Sequence, residues 1–442
     1  MPSALPILLA TLLLATASEQ PEPPPAPQPA TIHAVSFAPR AGTTTLLLDS
    51  GLQVHIKPFT TPGMRIAVLI AGPEFLESPT QLGLTRLVAS SLDLSTFPGW
   101  SAQLWPEGIS LQHTTSTTPL TQTLSTLATI IKSPRLDPAR FAKAKAELLT
   151  ASRATADAKP NSAAQAIGAI FDPINQARAE RLTPDLVQAI TIEAAQAFAD
   201  ARLSSSAIDI AIVGRIQPAE AIPVIQSALA NISPRPRDRF DAPRNLPRPT
   251  PAAHHAHNPG PADQAYIVLT LPAPPQHDLT QARLSVLASK LMQAELTSAI
   301  TEQGLKQLIV AGNAIPGRAL PNMGLCIATA VVHADAAQAD KLIAATRERL
   351  TRLATQGPTQ ASFDRARQDL LDELTPRLAT ADYWVTALPV AWFLNVPIDE
   401  LATAPETLAN LKPDDLHDHL RTWWQPDQLS TLTATPQQTA PN

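Results

Sequence analysis

Between two proline-rich breaks the chain writes one order of elements twice, and no single motif constrains its fold as strongly. The first copy opens with strand text: TTTLLL, then LQVHIKPF, where Leu52, Val54 and Ile56 alternate with polar residues, then the more apolar MRIAVLIAG. Helical text follows from Thr80 to Leu94, with Leu84, Leu87, Val88 and Ser91 at helical spacing. PLTQTLSTLATIIKS puts Leu120, Leu124, Leu127 and Ile131 on one face. A helix over Pro138 to Ala156 is entered through Asp137 as N-cap and a first-turn proline. A helix from Thr183, the strand AIDIAIVG and a helix from Pro218 to Ala230 complete the copy.

The second copy begins with the strand AYIVLTLP and a long helix from Leu279 to Gln303. Strands LKQLIVAG and NMGLCIATAVV follow, then helices over Ala334 to Ala354 and Thr359 to Leu374, the helix LKPDDLHDHLRTWW and a closing strand QLSTLTA. FAKAKAELL from Phe141 parallels FDRARQDLL from Phe363, and LTPDLVQAI from Leu182 parallels LKPDDLHDHL from Leu411. Two similar halves of about 200 residues are the simplest account. Strands mixed with long helices, without strict alternation, predict an α+β fold: in each half a largely antiparallel sheet with helices packed on one face.

The breaks set the boundaries. Of the 45 prolines in 442 residues, many fall in EQPEPPPAPQPA and in the stretch from Pro234 to Ala262, where they interrupt no helix. The reading is a targeting segment over 1–17, a spacer over 18–42, a first half over 43–233, a linker over 234–262, a second half over 263–434 and a frayed tail over 435–442. A chain with 44% hydrophobic and 16% charged residues is a folding chain. A net charge of -5 and 4% aromatics argue against a nucleic-acid partner.

Leu5 to Leu14 is a short apolar run, below the ~20 residues a membrane span needs. Ala15-Thr16-Ala17 follows as a small-x-small cleavage site, with Ser18 as the mature start. No Lys or Arg precedes the run, so an uncleaved anchor is the alternative; either way the chain is expected to be exported, periplasmic or extracytoplasmic, with no integral span once the segment is removed. Cys326 is the only cysteine; in the apolar run MGLCIATAVV it reads as a buried structural thiol.

LLLDSGLQVHIKPF, AGPEFLESPTQLGLTRLVASSL and the stretch from Thr183 to Leu229 occur in an order and spacing that resembles the insulinase/pitrilysin-type peptidases, which include the mitochondrial processing peptidases. Asp49-Ser50-Gly51-Leu52-Gln53-Val54 takes the place of that family's Asn-Gly-Leu-x-Val turn, and the resemblance runs from about Thr43 to Leu432. The family's chemistry rests on H-x-x-E-H: two histidines four apart on one helix face hold zinc, and the glutamate takes a proton from the metal-bound water. Gly83 fixes the frame, which places Arg86 and Ser90 at the two histidines and Ala89 at the base. A permanent cation, a hydroxyl and a methyl do not make a zinc site. No two of the ten histidines lie four apart, so no shift of frame restores the motif. The downstream glutamate ligand falls near Ala151, one turn past Glu147, which reads as a solvated helix carboxylate.

The resemblance also implies an Arg/Tyr substrate clamp in a frame like R-E-x-G-L-x-Y. ITEQGLKQLIV fits it with Thr301 for the arginine and Gln307 for the tyrosine, while Glu302 and Gly304 serve the turn before a strand. His254, His255 and His257 cluster in the linker, where a mobile segment offers no fixed geometry. His417 and His419 face different ways on a helix, and Trp423-Trp424 is a helix-end core contact or an interface element. The expectation is a pseudoenzyme: no catalytic residue, no metal and no cofactor, zinc having been lost. By the resemblance it would be a structural or substrate-enclosing partner in a hetero- or homodimer with an insulinase-family subunit, with a peptide as the implied ligand. The alternatives are a scaffold or peptide-binding protein without such a partner, and a metallopeptidase with unorthodox ligands.

Overall fold

The computed structural model describes residues 28–72, 74, 77–156, 181–236, 251–258, 263–274, 278–315 and 324–436. The targeting segment lies outside the described residues. The first half contains β1 (Ile32–Ala38), β2 (Thr43–Leu48), β3 (Gln53–Pro58), β4 (Met64–Ala71), α1 (Leu84–Ser91), β5 (Trp100–Trp105), β6 (Gly108–Thr115), α2 (Leu120–Lys132), α3 (Pro138–Ala156), α4 (Pro184–Ala189), α5 (Ile192–Ser205), β7 (Ile208–Gly214) and α6 (Pro218–Ala228). Its seven strands run β1-β2-β3-β7-β4-β6-β5, antiparallel except for the parallel neighbours β3 and β7.

The second half contains β8 (Ala253–Asn258), β9 (Gln264–Ala273), α7 (Leu279–Glu302), β10 (Lys306–Ile315), β11 (Gly324–His333), α8 (Ala336–Gln356), α9 (Gln360–Leu378), α10 (Ala381–Leu394), α11 (Ile398–Ala402), α12 (Ala404–Asn410), α13 (Pro413–Trp423) and β12 (Ser430–Pro436). Its five strands run β10-β11-β9-β12-β8, with only β12 and β8 parallel. This is the α+β architecture of two halves that the repeated text predicts.

Alternation along the strands decides what each face meets. In the first sheet Leu46, Val54, Ile56, Ile66, Val68, Ile210 and Ile212 are buried against α1, α2, α3, α5 and α6. In the second, Ile267, Leu269, Cys326, Ala328 and Ala330 are buried against α7 and α8, with Phe363 of α9 and Leu416 and Leu420 of α13 in the same core. Trp424 is buried there too, so the helix-end tryptophan is a core contact.

Two boundaries move. Ile32–Ala38, read as spacer, is a strand paired along β2, and Ala253–Asn258, read as linker, pairs in parallel with β12. The cause is the same in both: each is a proline-free window, between Pro29 and Pro39 and between Pro251 and Pro259, so its amides can join a ladder although its neighbours cannot. The closing strand also runs to Pro436, two residues into the stretch read as tail. A fourth difference is larger. α10, ADYWVTALPVAWFL, belongs to the second half but packs on the first sheet's other face. Ala381, Trp384, Val385 and Leu388 meet Ala67, Ala211 and Val213, and Trp392 and Phe393 meet Leu69, Ala71 and Ala207. The first sheet is therefore covered on both faces.

Candidate functional site

The stretch that the sequence reading aligns with H-x-x-E-H lies on α1, and the chain's own groups fix the start of that helix. Gly83 takes the left-handed conformation (φ 89°) that starts the helix, and a Cβ there would press on Leu148 of α3 at 3.0 Å. No capping side chain sits at the N-cap itself. Instead the carboxylate of Glu77, 7% exposed, accepts the Gly83 amide at 2.8 Å and the Thr85 amide at 2.6 Å. Two of the helix's orphan donors are thereby satisfied, and a negative charge lies at the positive end of the dipole. The helix is shorter than the predicted Thr80–Leu94, because the residues before Gly83 are used in turns that bring Glu77 back over the helix end.

Arg86 occupies the first histidine's place. It reaches back to Glu74 in a two-point pair, Nε to Oε1 at 3.1 Å and Nη2 to Oε2 at 3.0 Å. The Glu74 carboxylate raises the Arg86 pKa above the usual guanidinium value, so the group stays a cation. Ala89 is buried in the core beside Leu87 and Val88, while Ser90 is exposed. Ala151 on α3 is exposed, and Glu147 faces Lys143 at 4.0 Å in an exposed i,i+4 pair. The donor set at this frame does not fit zinc. Among the described residues no group of three or more His, Cys, Asp or Glu could hold a metal ion.

The clamp positions are both exposed: Thr301 in the last turn of α7, its hydroxyl donating to Thr297 O, and Gln307 on β10. Between them the turn is intact. Gly304 lies at φ 66°, its amide donating to Thr301 O, and Glu302 pairs with Arg349, which also holds Glu295 at 3.1 Å. The linker histidines lie on β8 rather than on a mobile segment, because the strand pairs with β12. His255 is 3.9 Å from Asp340 and exposed, and His254 projects to the opposite face. On α13, His419 is buried, bonded through Nδ1 to Gln281 Oε1 at 2.8 Å, whereas His417 is half-buried. Cys326 is fully buried, its thiol donates to Ser285 O at 3.3 Å, and burial pushes its pKa up to about 11.

Two polar centres escaped the sequence reading. On the first sheet's second face, His55 stands between Thr45 Oγ1, 2.8 Å from its Nδ1, and Asp209 Oδ2, 2.9 Å from its Nε2; His55 and Asp209 are buried. A lone aspartate in the apolar run AIDIAIVG was the available signal, since a buried carboxylate needs a partner. Lys57 on the same face donates to Ala41 O, and its ammonium lies 4.0 Å from the Trp384 ring centroid. Desolvation lowers its pKa. Lys57 thus ties α10 to the first sheet, together with Arg65 paired to Asp382 at 2.8 Å.

Two halves, each a sheet layered with helices, and a motif helix between Gly83 and Leu92 define a peptidase-like α+β fold. Residues 189–370 match the family model described as Peptidase M16 inactive domain. The fold is similar to that of the peptidase M16 inactive domain from Pseudomonas fluorescens, at 15% identity and TM-score 0.71 over 90% of this chain and 100% of that one. It is similar to the periplasmic protease PqqL from Escherichia coli, at 13% identity and TM-score 0.71 over 93% of this chain and 47% of that one, so the chain spans about half of PqqL. It is also similar to a chain of Complex III2 from Candida albicans, at 14% identity and TM-score 0.67 over 91% of this chain and 95% of that one. No curated protein matches. The matched segment and the shared fold make the chain similar to insulinase-type, M16 proteins. The match begins after α1, so what stands at positions 86, 89 and 90 rests on the residues themselves.

Proposed function

We propose that this chain is a catalytically inactive, exported M16 homologue that serves as a structural or substrate-enclosing partner of an active zinc peptidase. The observation that carries the reading is Arg86. The residue in the first ligand's place is committed to Glu74 by two hydrogen bonds, beside a buried methyl where the base would be. None of positions 86, 89 and 90 supplies the histidine donors or the glutamate base of H-x-x-E-H. The apolar run over Leu5 to Leu14 supports export, as does the likeness to a protease named as periplasmic. The half-length match to PqqL supports a partner module, because the longer chain carries about as much again.

The test has two readouts. Purified from the native envelope, the chain should carry less than stoichiometric zinc and cleave no peptide in a chelator-sensitive way, and it should bring with it an insulinase-family subunit with intact H-x-x-E-H. Stoichiometric zinc with chelator-sensitive cleavage would overturn the inactive reading. A strictly monomeric protein with no effect on such a relative would overturn the partner role. The exposed clamp positions Thr301 and Gln307, which carry neither arginine nor tyrosine, favour a second reading as a scaffold, and recovery of only non-peptidase partners would select it.

A further inference from the structure

Lys57 is a buried cation without an anionic partner. It is 7% exposed, donates to Ala41 O and lies 4.0 Å from the Trp384 ring centroid. An ammonium offers three donors, yet among the described residues Lys57 has no second hydrogen-bond acceptor and no carboxylate. A carbonyl oxygen and a ring face offset only part of what an ammonium loses on leaving water. The other charges buried in the first half show the contrast: Asp209 pairs with His55, and Glu77 accepts two amides.

Lys57 also lines a cavity of about 780 Å³ on the sheet face that α10 covers, the face opposite α1. Pro58, Phe59, Ile216 and Ala379 give its wall an apolar surface. Arg215 stands there as a second cation, exposed and without an ion pair among the described residues. α6 begins at the same wall: its N-cap, Gln217, makes no side-chain capping bond, so the positive end of the helix adds to the field. Glu220, exposed in the first turn of that helix, is the acid on the wall.

We propose that this cavity binds a small monocarboxylate with an apolar body, its carboxylate paired with the Lys57 ammonium and its hydrocarbon against Phe59, Ile216 and Ala379. Pairing supplies the anion that the buried ammonium lacks, and a charge-assisted bond is strongest where water is excluded. One buried cation favours one negative charge. A phosphate dianion would bring a second charge toward a wall where exposed Arg215 is answered by exposed Glu220. The site shares no residue with positions 86, 89 and 90, so the inference stands or falls apart from the peptidase-partner reading.

The probe is sodium hexanoate, titrated into the full chain by isothermal calorimetry at pH 7. Saturable one-to-one binding is expected, with a Kd of about 1 mM or tighter and a rise in Tm. 1-Hexanol, which keeps the body and lacks the charge, should not bind measurably, and inorganic phosphate should not displace hexanoate. Lys57→Met should weaken binding at least about tenfold, or roughly 1.4 kcal/mol. Because Lys57 also ties α10 to the sheet, Ile216→Trp serves as the second variant: it keeps the ammonium, fills the cavity and should weaken binding as much. Arg215→Ala should weaken it about twofold to threefold, and Lys306→Met, on the second half's sheet, should leave it unchanged. No saturation by about 10 mM hexanoate overturns the proposal, as does equal binding of 1-hexanol. Full displacement by phosphate would reduce the site to an adventitious ion only. Binding that survives both Lys57→Met and Ile216→Trp would place the ligand elsewhere and also overturn it.

Discussion

Replacing Glu77 by alanine should loosen α1 more than any other single change near the motif. The carboxylate accepts two amides, from Gly83 and Thr85, at 2.8 and 2.6 Å. A hydrogen bond to a charged group contributes about 1.5–3 kcal/mol net, and charge at a helix N-terminus about 0.3–1 kcal/mol. Against these stands the desolvation of a carboxylate that is 7% exposed, a penalty of several kcal/mol that the substitution removes. Arg202, whose pKa burial lowers and Glu77 only partly restores, would lose a countercharge, which returns part of that relief. The balance is a loss of about 3 kcal/mol. Glu77→Gln keeps an acceptor oxygen without the charge, and should lose about half as much. For a half of about 200 residues, 1 kcal/mol moves Tm by roughly 2–4 °C, so the alanine variant should melt about 6–12 °C lower. Hydrogen exchange at the Thr85 amide should accelerate in the same order, alanine above glutamine above the parent. If both variants melt within about 1 °C of the parent, the carboxylate does not hold the helix and the reasoning fails.

Four further outcomes follow from the same geometry. His55→Ala removes the imidazole 2.9 Å from the buried Asp209 carboxylate and should cost about 3–5 kcal/mol by urea denaturation, with a milder loss for the double variant His55→Leu/Asp209→Leu. Burial depresses the His419 pKa to about 4, so between there and the unfolded value near 6.5 only the unfolded chain takes up the proton. Stability is then full above about pH 6.5 and falls by up to roughly 3 kcal/mol as pH drops to about 4, a slope that His419→Gln should flatten in melts across that range. Cys326 should resist thiol reagents in the native chain at pH 8 and react on unfolding, since its thiol is buried with a pKa of about 11. Residues 28–236 expressed alone should bind a hydrophobic dye and aggregate, because they expose the sheet face that Trp384, Leu388, Trp392 and Phe393 cover; a soluble, dye-silent fragment would refute that role for α10.

What could be read in the sequence was whatever a short window encodes. The strands over Thr43–Leu48 and Gln53–Pro58 and the helix over Pro138–Ala156 carry their period and caps within themselves, and Asp137 indeed accepts the Arg140 amide at 2.7 Å. That Arg86, Ala89 and Ser90 lie on a helix was legible from the spacing of Leu84, Leu87, Val88 and Ser91, and Gly83 starts that helix at its positive φ. What escaped was decided across long separations. β1 and β8 are strands only because β2 and β12 offer them ladders, and neither segment has a clean alternation of its own. α10 is apolar nearly all round, with Pro389 inside it, so no amphipathic stripe announces a surface helix. Such a helix is explained only by having neighbours besides the sheet, and Leu378 of α9 with Ile398, Leu401 and Ala402 of α11 pack against the cluster it forms with the first sheet. The His55–Asp209 pair follows the same rule, since residues 154 positions apart become neighbours only when β3 and β7 lie side by side in parallel. That positions 86, 89 and 90 carry neither histidine nor glutamate could be read in one segment, but the groups that hold that segment's surroundings, Glu77 apart, come from the rest of the chain.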